Sequence, residues 1–371
     1  MIRFFDFDLI ILLKRLFLLV ACFLLLASVD VFGQQQSGRV YEFLNLPATA
    51  RVTALGGYAF PTLDSDLGMA LFYPAMLTQD VNNHLSLNIV DYFDDINYGT
   101  IAFTHYFERL GQFSGAVQYI DYGRFVEANE SGDIIGQFTA GEYSLQIGWG
   151  RLLTERLMLG SNVKIIYSSF YSYDSMGMAV DLSMAYINPD NLLAAAIVAR
   201  NIGRQITYYH GNNRESLPFD LALGISKKLH NAPFQFSLVA NNLHNYALTY
   251  DSPMLLPDHF NDDDDSQTFQ QRVSDFGDNL MRHLTLGVEF TPLESFSFRV
   301  GYNYRRRQEM KVDTRLSTVG FSWGFGIQIS RFQLQYGRSN YHLAGAPNHI
   351  SISTSLQDLF QQPNNLRVGN D

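Results

Sequence analysis

A chain of 371 residues with a net charge of -10 carries 14% aromatic residues and only 17% charged ones, fewer charges than the share of about a quarter usual in soluble domains. Its basic residues are scattered and offer no stripe for nucleic acid, which is excluded as a partner. Mean hydropathy is -0.05, and past the extreme N-terminus no run reaches the ~20 apolar residues of a membrane-spanning helix, so a helical bundle is excluded too.

Residues 1–33 read as a signal peptide: the basic pair Lys14-Arg15, an apolar run from Leu16 to Ser28, and the small Gly33 before Gln34. Leu19-Val20-Ala21-Cys22 also matches the lipobox of lipidated proteins. Phe23-Leu24-Leu25-Leu26 then continues the apolar run where a lipoprotein's mature start is polar. Cleavage near Gly33 discards Cys22, the single cysteine, and leaves the mature chain without a disulfide, a thiol nucleophile or a cysteine metal site. Localisation in the bacterial outer membrane is expected.

Residues 34–83 do not alternate. Ala48 to Gly57, with Arg51, Gly56 and Gly57, and Asp66 to Leu77, with Pro74 and Ala75, combine small residues with short helix-compatible stretches. The expectation is a compact hatch that plugs a wide lumen; the bland alternative is a disordered periplasmic leader.

From His84 the pattern changes to period two, which sorts side chains onto opposite faces of a strand. Tyr143, Leu145, Ile147 and Trp149 oppose Glu142, Ser144, Gln146 and Gly148; Phe296, Phe298, Val300 and Tyr302 oppose Ser297, Arg299, Gly301 and Asn303. Strands are expected near 84–92, 96–107, 111–121, 136–152, 156–170, 176–187, 192–200, 218–228, 234–242, 282–291, 296–305, 316–329, 331–337 and 348–358. Every second connection is tight, such as Glu108-Arg109-Leu110 or Ser330 alone. Those between are mostly long, including Tyr122 to Ile135, Asn201 to Leu217 and Leu243 to Met281.

Short turns at one end, long loops at the other and an even strand number are the signature of an outer-membrane barrel. In hydrocarbon every main-chain polar group needs a partner, and a sheet supplies them all only by closing on itself. The expected fold is therefore all-β: a transmembrane antiparallel barrel of about fourteen strands over residues 84–360, with a periplasmic tail at 361–371. A soluble all-β protein would have to hide as many apolar faces.

Several chemistries are weighed against the residues. Ser161 and Lys164 match the Ser-x-x-Lys pattern of penicillin-recognising enzymes, but positions three apart on a strand face opposite ways, and no enzyme is expected. The histidines are dispersed, and no cofactor is expected. In the longest outer loop Asp262, Asp263, Asp264 and Asp265 offer hard oxygen ligands for Ca²⁺, a solvated acidic loop, or a patch steering a basic partner. Arg305, Arg306 and Arg307 open the next outer loop, as a contact to lipopolysaccharide phosphates or as a solvated loop end.

The stretch Phe43 to Gly57, followed by Asp64-Ser65-Asp66, Tyr73-Pro74-Ala75-Met76-Leu77 and Tyr92 to Gly99, resembles the PorQ family of the type IX secretion system. More distantly it is similar to FadL-type barrels, whose hatch carries Ala-Arg, Gly-Gly and Asn-Pro-Ala motifs; here Tyr73 replaces the Asn. The resemblance implies a non-enzymatic anchor that holds the surface protein PorZ in an attachment complex with PorU and PorV, beside lipid and lipopolysaccharide. The rival expectation, from the FadL-type likeness, is a passive carrier of hydrophobic small molecules, with Gly115 read either as a kink that opens toward lipid or as a simple packing glycine, the latter favoured.

Overall fold

The computed structural model describes residues 39–64, 66–211, 213–248, 269–310, 318–340 and 345–356, with residues 269–275 as backbone only. The chain divides into residues 1–39 and a compact unit, Val40–Asp371. The expected signal peptide, the tail at 361–371 and the four aspartates of the longest loop lie outside the described residues.

Fourteen strands form one closed antiparallel barrel in which each pairs with its chain neighbours and β1 closes against β14. They are β1 (His84–Asp91), β2 (Asn97–Phe107), β3 (Gly111–Ala128), β4 (Ile134–Leu152), β5 (Leu157–Phe170), β6 (Tyr173–Asn188) and β7 (Leu193–Thr207). The circuit continues with β8 (Asp220–Lys228), β9 (Phe234–Ala240), β10 (Leu284–Leu293), β11 (Phe296–Asn303), β12 (Phe321–Ile329), β13 (Phe332–Ser339) and β14 (Asn348–Ser355). The alternation decides which face is which. Leu145, Ile147 and Met178 are exposed on the outside, whereas Ser144, Gln146 and Asp181 are buried on the inside. Tyr119, Tyr143 and Tyr167 stand side by side across β3, β4 and β5 as part of an outer aromatic girdle. Among the described residues no helix is long and apolar enough to cross a membrane; this chain crosses the outer membrane with strands.

Boundaries differ from expectation mainly on the outer side. β3 and β4 continue through residues expected as a loop, and β7 runs on to Thr207. As a result β3 to β7 are 14 to 19 residues long, against 7 to 10 for β8 to β14. About 9–11 tilted residues suffice to cross the bilayer. All these strands turn tightly at the periplasmic end, so the surplus on β3 to β7 stands above the membrane as a raised wall. Helices replace expected coil in two outer loops, Phe269–Arg282 before β10 and Tyr304–Met310 after β11.

Gly115 does not open the wall. It pairs with Phe103 on one side and Ile147 on the other with no register shift, and space around it on the outer face is empty. Pairing is irregular elsewhere: between Asp121 and Arg124 of β3, and near Asp181, where β7 carries an extra residue. That residue is Asn201, at φ 55°.

Candidate lumen site

Residues 40–83 thread the lumen from the outer to the periplasmic end, and their attachments differ with depth. After the first turn two short helices, α1 (Ala50–Ala54) and α2 (Leu67–Phe72), are capped by Thr49 and Asp66, whose side chains accept from the amides of Val52 and Met69. α1 ends at Gly56 and Gly57, both at positive φ, a conformation that Cβ-bearing residues resist. A Cβ on Gly57 would lie 2.6 Å from the Arg306 guanidinium.

Inward-facing glycines let this segment's backbone rest directly on the wall. A Cβ on Gly160 would lie 2.2 Å from the Pro74 carbonyl carbon, and one on Gly301 2.2 Å from the Gly56 amide. The Ala75 amide donates to Ser183 Oγ at 2.6 Å, and the Ala50 amide to Ser351 Oγ at 2.8 Å.

Arg51 is the electrostatic centre of the inner segment and is 1% exposed. Its Nε and Nη2 fork onto the two carboxylate oxygens of Glu289, both at 3.0 Å, a geometry that suits guanidinium and carboxylate. Nη1 reaches Asp66 and Asp64, each at 2.9 Å. Glu289 also takes Arg299 Nε at 2.6 Å. One arginine of the inner segment thereby joins α1, the α2 cap and the wall strands β10 and β11.

Two further residues behave differently. The Tyr73 hydroxyl, standing where FadL-type hatches have Asn, is buried and has no hydrogen-bond partner, so this position makes no polar link. His349 of β14 bridges the inner segment and the wall, with Nδ1 2.9 Å from Thr53 Oγ1 and Nε2 3.2 Å from Tyr98 Oη.

The outer half departs from the polar lumen expected of alternation. Val90, Tyr98, Ile120, Ile166 and Ala179 face inward there and pack with Val40, Tyr41, Phe43 and Leu44 of the inner segment. A signal for this was present in the sequence: apolar residues run consecutively at Ile89-Val90, Tyr119-Ile120 and Ile165-Ile166-Tyr167, so both faces are apolar at those heights. Above this chamber, Tyr122, Phe170 and Tyr209 form a throat, with ring centroids 5.5 and 5.8 Å apart. On the raised wall Phe125, Phe138 and Tyr171 follow at 5.1 and 5.0 Å. Aromatic side chains thus descend from the rim to the chamber.

The upper inner segment is held by few polar links. Gln118 Nε2 donates to the Phe43 carbonyl at 2.9 Å, Arg200 Nη2 to the Leu44 carbonyl at 2.9 Å, and Tyr41 Oη lies 2.5 Å from Ser175 Oγ. Arg200 also stacks on Phe72, its guanidinium carbon 3.7 Å from the ring centroid. Lys164 pairs with Asp181 at 2.7 Å and with Asn201 Oδ1 at 2.9 Å. Ser161 and Lys164 lie on opposite faces of β5, as strand geometry requires. At the periplasmic mouth a recess of about 530 Å³ lies between the inner segment and the ends of β2 to β6, lined by Met76, Leu77, Met158 and Ile187 with Asp80 and Arg151.

The three outer-loop arginines do not form one surface. Arg306 turns inward onto Gly57 and donates to Ser339 Oγ at 2.6 Å, while Arg305 pairs with Glu309 at 2.6 Å along its helix. Arg307 is half-buried. Among the described residues no group of three His, Cys, Asp or Glu is placed to hold a metal.

No known protein family and no curated protein matches the sequence. Solved structures do. The CymD monoaromatic hydrocarbon channel matches at 14% identity over 84% of this chain and 98% of its own, with a TM-score of 0.48. The toluene transporter TodX of Pseudomonas putida matches at 11% over 83% and 96%, with a TM-score of 0.43. A Pseudomonas aeruginosa FadL homologue matches at 10% over 83% and 98%, also with a TM-score of 0.43. At such identities the likeness concerns the barrel alone. These findings correct the expectation of a PorQ-type protein: the matches include monoaromatic hydrocarbon channels, a FadL homologue and the KdgM porin rather than secretion components. The anchoring role and the partners PorZ, PorU and PorV fall with it.

Proposed function

We propose that this barrel is a passive outer-membrane channel for hydrophobic small molecules, with residues 40–83 as its hatch. The observation that carries the reading is the apolar outer half of the lumen, reached by aromatic rings descending from the raised wall. A water-filled porin gains nothing from burying Val90, Ile120 and Ile166 inward. An apolar solute gains roughly 25 cal/mol for each Å² it removes from water there.

The division within the hatch supplies a gate. Val40 to Leu46 fill the chamber with apolar side chains, so an apolar solute replaces like with like when they move aside. The polar contacts to be released are those to Gln118, Arg200, Ser175 and Asn201 and the Val40 amide's bond to the Ser216 carbonyl. The remainder of the segment, fastened by the Arg51 network and seated on glycines, stays as the floor, and the mixed recess at the periplasmic mouth forms the exit side. Movement down a concentration gradient needs no chemical step.

The test is solute passage through asymmetric vesicles whose outer leaflet is lipopolysaccharide, a barrier to apolar compounds. Naphthalene should enter protein-bearing vesicles faster than bare ones, and sucrose should not. Equal naphthalene rates with and without protein, or fast sucrose passage, would refute the channel reading.

A further inference from the structure

The throat carries a charge that a hydrocarbon path does not require. Glu142, on the inner face of β4, is 3% exposed and sits in the row Ile120, Glu142, Ser168, Ser175 across β3 to β6. Its carboxylate accepts from Tyr122 Oη at 2.7 Å and also bonds Ser168, which in turn takes the Tyr209 hydroxyl at 2.5 Å. The rings of Tyr122, Phe170 and Tyr209 are half-buried and open toward the outer side. One step deeper on the same inner face, the Ser144 hydroxyl is fully buried and has no partner.

Two further carboxylates lie near the throat, beside one cation. Glu42, next to the plugging Tyr41, is exposed, and Glu215 of the β7–β8 loop is half-buried; Glu142 and Glu215 both act on Tyr41 and Tyr209. Arg214 of that loop is half-buried. The lumen cations lie deeper and are engaged: Lys164 with Asp181, and Arg200 with the Leu44 carbonyl and Phe72.

A carboxylate ringed by tyrosine and phenylalanine is the combination that recognises an organic cation, because the negative faces of the rings and the carboxylate attract the same charge. Resting on the channel reading above, we infer that the throat is a selectivity site favouring apolar molecules that carry a protonated amine, and disfavouring their carboxylate counterparts. The ammonium group lodges between Glu142 and the rings of Tyr122, Phe170 and Tyr209, with the buried Ser144 hydroxyl as a further acceptor. The apolar body extends into the chamber lined by Tyr98 and Ile120. A carboxylate in the same place meets Glu142 at low dielectric, where like charges repel most strongly.

The probes are 4-phenylbutylamine, 4-phenylbutanol and 4-phenylbutyrate, which share one apolar body. Calorimetric binding to the full-length protein in detergent should rank amine over alcohol over carboxylate, with an amine preference over the alcohol of about tenfold. Glu142→Gln keeps an acceptor for Tyr122 and should abolish that preference. Phe170→Leu, which alters no polar group, should lower amine affinity about threefold, and heat-modifiable gel migration checks that both barrels are folded. Equal amine and alcohol affinity in the wild type, no binding of the amine, or an undiminished preference in Glu142→Gln overturns the inference. The channel reading fails separately: if the amine binds but none of the three crosses vesicles faster than without protein, the throat is a binding site in a barrel that does not conduct.

Discussion

Replacing Arg51 by Ala tests whether one buried side chain fastens the hatch floor. The substitution removes the fork onto Glu289 and the links to Asp66 and Asp64. Breaking a buried ion pair costs about 3–5 kcal/mol, because the abandoned charge stays buried. Two features place the loss at the low end. Glu289 keeps Arg299 at 2.6 Å, and the Asp64 side chain is 54% exposed, where a pair contributes about 0–1 kcal/mol. A loss of ~3 kcal/mol multiplies the population with a displaced floor by roughly 10² at ~1.4 kcal/mol per tenfold. Hydrogen exchange reads this directly: amides from Val52 to Leu77 should lose about two decades of protection while those of the strands keep theirs. Arg156→Ala, which removes an exposed pair with Asp190, serves as the control and should change nothing. Unchanged protection of the floor in Arg51→Ala, in a barrel that is otherwise intact, would refute the fastening role.

Other outcomes follow from the same geometry. Gly160→Val should force the Pro74 turn off the wall, since even a Cβ there meets the Pro74 carbonyl carbon at 2.2 Å; limited proteolysis should cut residues 40–83 faster, whereas Gly115→Ala, with open space around it, should leave the digest unchanged. Ile147→Arg puts a cation on the lipid face, 57% exposed in the wild type, and should lower folding stability in vesicles by about 2–4 kcal/mol if the residue lies near the midplane, measured by urea titration. Partial desolvation acts to raise the half-exposed Asp64 carboxyl, but the Arg51 charge outweighs it and holds the group below its ordinary value. Its contribution to hatch stability is therefore fully present above the unfolded value of about 3.9 and is lost as pH falls through the lower folded value. Exchange protection of the floor should be level from pH 7 to about 5 and decline below about 4.

The strand pattern was legible because its cause is local. A strand with lipid on one side and a filled lumen on the other alternates with period two, and tight turns need few residues, so fourteen strands could be placed from Leu145, Ile147 and Trp149 against Ser144, Gln146 and Gly148 and from similar runs elsewhere. Boundaries failed above the membrane, where β3, β4 and β7 run on in water and neither face has to be apolar. The resemblance to a secretion component failed for a different reason: short motifs such as Arg51 with Gly56-Gly57, or Pro74-Ala75, fasten an inner segment to the wall and carry no information on what the barrel handles.

Composition and alternation by themselves determined that this chain closes into a membrane barrel, because burial of unpaired main chain in lipid leaves no other solution. Which residues meet inside it was decided only by tertiary closure. Arg51 and Glu289 are 238 positions apart, Tyr41 and Ser175 are 134 apart, and Arg306, which reads as a surface charge, turns onto Gly57. No local period encodes those meetings, since they depend on where the inner segment comes to rest against strands that close around it.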